Sequence, residues 1–222
     1  MVEPRIAVAL DITTTVVSFA AVVEGKPLPR CVPIASPDPG GAHSFASTLH
    51  HHHSIVSRVM ETVLKAGVPE VCVLVKNLWQ GPDRDPSAER RAGLRWLLAD
   101  ALVTAGVPVA EIPLLTLSTF IGSSPVPGRR GADAIVSRLK EAYPRLEIPG
   151  QGFRGTTAAA AVAGAMACGI ETLIPVTSDR LKILAGAGNR GIQWPPSLKP
   201  PATLGEWARL NANETTPANL AG

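Results

Sequence analysis

Asp11 closes the apolar run Ile6-Ala-Val-Ala-Leu10, and the small-residue turn Thr13-Thr-Thr15 leads into a second apolar run, residues 16–23. A strand-borne carboxylate beside a tight turn is suited to hold a divalent cation for phosphoryl or phosphodiester chemistry. That chemistry needs more than one acid. Two Mg²⁺ ions about 3.5–4 Å apart require several oxygen anions close together. The remainder of the chain does not supply them in the expected places. The short apolar run Val71-Cys-Val-Leu-Val75 ends in Lys76, and no carboxylate occurs between Glu147 and Glu171. A lysine beside Asp11 would neutralise it and form an ion pair where metals would sit. Only with other acids recruited, from Glu70, Asp83, Asp85 or Asp133, would metal chemistry return.

Other candidate motifs carry less. Gly186-Ala-Gly188-Asn-Arg-Gly191 spells G-x-G-x-x-G, but the following Ile-Gln-Trp-Pro-Pro cannot open the helix a dinucleotide site needs. His50 and His53 share a helical face without a third ligand, so a solvated face is expected. Ser118, Ser123 and Ser124 lack a His/Asp pattern. Trp79 and Trp96 read as packing residues. Asp11-Ile-Thr-Thr-Thr15 also resembles the phosphate turn of sugar kinases and actin-like ATPases. It has Thr13 in place of the usual Gly, and those proteins need two such halves.

The chain has 222 residues and a net charge of +3, too mild to announce a nucleic-acid binder by itself. The distribution is less even. Residues 129–154 hold six basic residues (Arg129, Arg130, Arg138, Lys140, Arg145, Arg154) against three acidic ones. Cys31, Cys72 and Cys168 are odd in number without metal-type spacing, which fits a reduced compartment and buried thiols. No secretory signal and no membrane-length apolar run occurs, so a cytoplasmic or virion location is expected, with no membrane contact.

The apolar patterns predict strands at 5–10, 16–23 and 29–34, then a helix over 44–66 stopped by Gly67-Val-Pro69. A buried parallel strand at 71–75 follows. Asp85 and Pro86 can start a helix that runs to about Ala105. Residues 107–110 and 114–117 can supply one more strand, and 122–131 form a loop. Helices are predicted at 132–143 and, with Thr156 or Thr157 as cap, at 158–168. Residues 1–177 thus read as one α/β domain with a mixed sheet flanked by helices. Residues 178–222 read as an extended Pro/Gly-rich tail carrying Trp194 and Trp207.

With Asp11 on strand one, Val73-Leu-Val-Lys76-Asn77 on the fourth strand, the helix start Ser87-Ala-Glu-Arg-Arg-Ala-Gly93, the Gly122 loop and the helix Thr156–Gly169, the chain resembles the RuvC family of Holliday junction resolvases, of ribonuclease H-like fold. The resemblance spans about residues 5–170. It implies a two-metal site of four acidic residues, one of them sometimes His. Asp11 matches the first; Lys76 stands at the second, and Thr156-Thr-Ala-Ala-Ala-Ala replaces the acidic pair that opens the last helix. It also implies basic residues before the third helix, where Arg129 and Arg130 could touch phosphates.

The expectation is a RuvC-like domain that has lost its metal site and acts as a structural or binding module, for example in a phage or viral assembly. No cofactor is expected. Protein partners would dock through Trp194 and Trp207 in an oligomer or larger assembly, and any DNA contact would be weak and nonspecific. The alternative is a Mg²⁺-dependent Holliday junction or flap endonuclease.

Overall fold

β1 (Ile6–Ile12) is buried at all of its seven positions, so it must lie in the middle of a sheet covered on both faces. The structure, a computed structural model, describes residues 3–35, 44–76, 87–123, 128–150, 153–186 and 191–212. β2 (Val16–Val23) returns antiparallel to β1, and β3 (Lys26–Ala35) antiparallel to β2. β4 (Val71–Lys76) and β5 (Val109–Pro113) add in parallel on the other side of β1, giving the order β3-β2-β1-β4-β5. The connections that reach β4 and β5 carry α1 (Phe45–Leu64) and α2 (Ala88–Thr104).

The period-two alternation of strand side chains splits the core. Val8, Leu10 and Ile12 of β1 and Cys72 and Leu74 of β4 face α1 and α2, meeting Ile55, Val59, Leu94 and Leu98. Ala7 and Ala9 of β1, with Val71, Val73 and Val75 of β4, face α5 (Thr156–Ala167). α5 is buried along its whole length. Its Ala and Gly content permits the close approach: a Cβ on Gly164 would lie 2.9 Å from Val73 and 3.3 Å from Val71. α3 (Leu114–Ile121) and α4 (Gly128–Ala142) pack beside α5 on this face, with Tyr143 buried below them.

Three elements differ from the sequence reading. Residues 114–117 form the start of α3, not a strand: Pro113 at the N-cap lacks a donor to continue a ladder, and Gly122, at φ 81°, closes the helix. Arg129 and Arg130 lie in the first turn of α4 rather than in a loop. The tail holds α6 (Ser178–Leu184) and α7 (Leu204–Asn211), and described residues between them, Ile192, Trp194 and Leu198, pack back on the domain. Gln193 and Glu111 exchange backbone hydrogen bonds of 2.8 and 2.9 Å, closing the β5 edge. The opposite edge, β3, carries Pro27, Pro29 and Pro33, which offer no donor to a further strand. The predicted cap at Asp85 and Pro86 lies outside the described residues.

Candidate nucleic-acid interface at the end of strand one

Asp11 follows Ala7 and Ala9 in alternation, so β1 turns its carboxylate toward the start of α5. Its side chain is 1% exposed. Arg154, just before α5, brings Nη1 to 3.5 Å from Asp11 Oδ1, and the Thr156 hydroxyl donates to Oδ2 at 3.3 Å. The loop that carries Arg154 is itself fixed. Its backbone N–H donates to Ser18 Oγ at 2.8 Å, and Ser18 is the residue opposite Asp11 on β2. Thr157 Oγ1 donates to the Arg154 carbonyl at 2.7 Å. Gly155 lets the loop close against α4, since a Cβ there would stand 2.5 Å from Val136 Cγ2. A buried carboxylate is costly without a partner, and a guanidinium that keeps its charge at any ordinary pH offsets that cost.

Lys76 does not meet Asp11. The register pairs Leu10 with Leu74, so the β4 residue beside Asp11 is Val75, and Lys76 points to the opposite face with Leu74. There Lys76 Nζ lies 2.8 Å from Glu111 Oε1, and Arg95 of α2 binds the other oxygen. Burial pushes the Glu111 carboxyl up, but the hydrogen bonds from Lys76 and Arg95 outweigh it and hold it below the usual range. The expected Asp11–Lys76 ion pair is therefore corrected to Asp11–Arg154. The one-residue difference in register settles it, because adjacent strand residues face opposite sides.

Among the described residues, no second carboxylate joins Asp11 at this corner. Its described neighbours include a guanidinium, a hydroxyl and, on β4, the fully buried Val75. Among the described residues no group of three or more His, Cys, Asp or Glu could hold a metal ion. Glu70 precedes β4 and so stands at the opposite end of the sheet, where its N–H binds the Ile6 carbonyl. Asp133 lies on the outer face of α4, 73% exposed and 4.0 Å from Arg129. Asp83 and Asp85 lie outside the described residues.

Arg129, with a side chain 95% exposed, and the exposed Arg130 lie in the first turn of α4, whose Val136 touches the Arg154 loop. Arg154 entered the sequence reading only as one of six basic residues. The signal for its role is its place two residues before Thr156, where the polypeptide passes the end of β1.

Other expectations are redistributed. Trp194 Nε1 donates to the Leu184 carbonyl at 2.7 Å, and Trp207 Nε1 to the Met166 carbonyl at 3.1 Å. Both indoles pack against the core of their own domain and stay partly exposed. The Met166 carbonyl, in the last turn of α5, also accepts the Gly169 N–H at 3.2 Å, and the Trp207 indole adds a second donor. Trp96 is 73% exposed, not a packing residue. His50 and His53 are exposed, as expected, whereas between them His52 is buried against Gly93 of α2 and His51 Nε2 lies 3.3 Å from the Thr14 carbonyl. Trp79 and most of the Gly186–Gly191 motif lie outside the described residues. No described helix is long and apolar enough to cross a membrane.

The strand order, with antiparallel β3-β2-β1 leading into parallel β4 and β5 and with α5 laid on β1, is a ribonuclease H-like fold of the RuvC type. The solved structure of Thermus thermophilus RuvC in complex with a Holliday junction substrate matches with a TM-score of 0.52 at 13% identity, over 71% of this chain and 90% of that one. A second T. thermophilus RuvC structure gives 0.49 at 16% identity, over 70% and 91%. No protein-family profile matches the chain, and no curated protein sequence does.

Proposed function

We propose that this chain is a RuvC-like domain that binds without cutting: a module that has kept the fold and replaced the metal centre by a fixed ion pair. The observation that supports it is the environment of Asp11. Hydrolysis of a phosphodiester by two metals needs several anionic oxygens around both ions. Here the strand acid is joined by Arg154 and Thr156, and Val75 occupies the facing position on β4. The T. thermophilus RuvC that shares the fold was solved with a Holliday junction. Nucleic acid is accordingly the proposed ligand of this module, reached through Arg129 and Arg130. Point charges without a base-reading motif beside them give weak, salt-sensitive and sequence-indifferent contact. A role as a protein-docking arm is not proposed, because both tail indoles are engaged within the domain.

The test is a pair of assays on one labelled four-way junction. Retained binding in EDTA, with no cleavage after long incubation in Mg²⁺ or Mn²⁺, is the expected outcome. Metal-dependent cleavage that disappears in Asp11→Asn would reject it.

A further inference from the structure

A domain that meets a phosphate backbone without metal ions still needs positive charge where the backbone comes closest. At the carboxyl end of β1 the chain supplies that charge covalently. Arg154 is anchored three times: its guanidinium at buried Asp11, its N–H at Ser18 Oγ and its carbonyl at Thr157 Oγ1. Despite those anchors its side chain remains 38% exposed, while that of Asp11 is 1% exposed. An ion pair whose sole task was to fill the interior would be matched or bettered by an apolar pair. A buried acid instead holds the Arg154 side chain at this corner while part of that side chain stays toward water, where an oxyanion can meet it.

The surroundings agree. α5 begins at Thr156 with no acidic residue in its first turn and no side-chain cap at Gly155, so its positive end adds to the same corner. The exposed Arg129 and Arg130 lie on α4, which contacts this loop through Val136 and Gly155.

We propose that Arg154 is the central phosphate contact of the domain, a guanidinium oriented by Asp11 that takes a phosphodiester oxygen at the strand end where Asp11 would otherwise hold a cation. The inference rests on the binding-module reading and names the residue and ligand group of that same site. Asp11 is then a positioning residue, and Arg129 and Arg130 extend the contact along the backbone.

Fluorescence anisotropy of a labelled four-way junction and of a matching duplex tests it, in EDTA and across a sodium chloride series. The proteins are wild type, Arg154→Lys and the double variant Asp11→Asn with Arg154→Gln. The double variant keeps the net charge unchanged and leaves no unpaired buried charge. It is expected to bind both DNAs several-fold more weakly, through loss of the guanidinium–phosphate hydrogen bond, with the salt slope nearly unchanged because the pair it replaces carries no net charge. Arg154→Lys, which keeps the charge and loses the planar fork, is expected to fall between. Equal affinities in wild type and double variant would overturn the Arg154 assignment and leave the binding-module reading to Arg129 and Arg130. Failure of wild type to bind either DNA would overturn both. Calorimetry with inorganic phosphate distinguishes a free anion. Tight phosphate binding lost in the double variant, with DNA binding unchanged, would give the site to a small anion and overturn the proposal.

Discussion

Breaking the Asp11–Arg154 pair from its two ends should have unequal consequences. Arg154→Gln leaves a carboxylate that is 1% exposed facing a neutral amide and the Thr156 hydroxyl. A buried charge that loses its guanidinium partner costs about 3–5 kcal/mol. Asp11→Asn leaves a guanidinium whose side chain is already 38% exposed and can turn to water. The loss is then the charge-assisted hydrogen bonding, about 1–3 kcal/mol. Replacing both together removes the stranded charge, so the double variant should be more stable than Arg154→Gln alone. Urea unfolding of the four proteins reads this directly. The coupling in the cycle should be on the order of 1–3 kcal/mol. If Asp11→Asn destabilises as much as Arg154→Gln, or the two effects simply add, Arg154 is not what balances Asp11.

Gly164→Leu should lower stability by roughly 1–3 kcal/mol or more, since even a Cβ there meets Val73 at 2.9 Å, and an unchanged thermal midpoint would contradict the close packing of α5. His52 is held below its ordinary value by burial first, then by His51, Arg90 and His53, with exposed Glu89 the acid next in sequence to Arg90. It is neutral in the fold, so stability should fall as pH drops below the unfolded value of about 6.5, toward its lowered folded value. His52→Gln should flatten that part of the stability curve, and an identical curve would remove His52 as the cause. Trp207→Ala removes an indole packed on the core and its bond to Met166, with an expected loss of roughly 2–4 kcal/mol by urea unfolding. Deleting the chain from residue 191 should destabilise the domain further, and a truncated protein as stable as the full chain would refute the docked tail.

Much of the sheet was legible because its patterns are long and unambiguous. β1, β2 and β4 are continuous apolar runs bounded by turns, and α1 ends where Gly67 and Pro69 forbid continuation. α3 was not legible: Leu114-Leu-Thr-Leu117 is too short for apolar periodicity to separate helix from strand. The site failed on a finer point. Sequence spacing put a lysine at the end of β4, but only the register shows that it faces Glu111 and that Val75 stands beside Asp11. Strand faces alternate at every residue, so an offset of one inverts the chemistry. Arg154 was invisible as a partner because it is 143 residues from Asp11. The tail was read as extended from its prolines. Trp194 and Trp207 decide its course instead, because each finds an apolar surface and a backbone acceptor on its own domain.

The central claim is that Asp11 belongs to an ion pair and not to a metal centre. Calorimetric titration of the full chain with Mn²⁺, beside Asp11→Asn, tests it most directly. The account predicts no saturable heat in either protein. Saturable binding in wild type that vanishes in Asp11→Asn would contradict it.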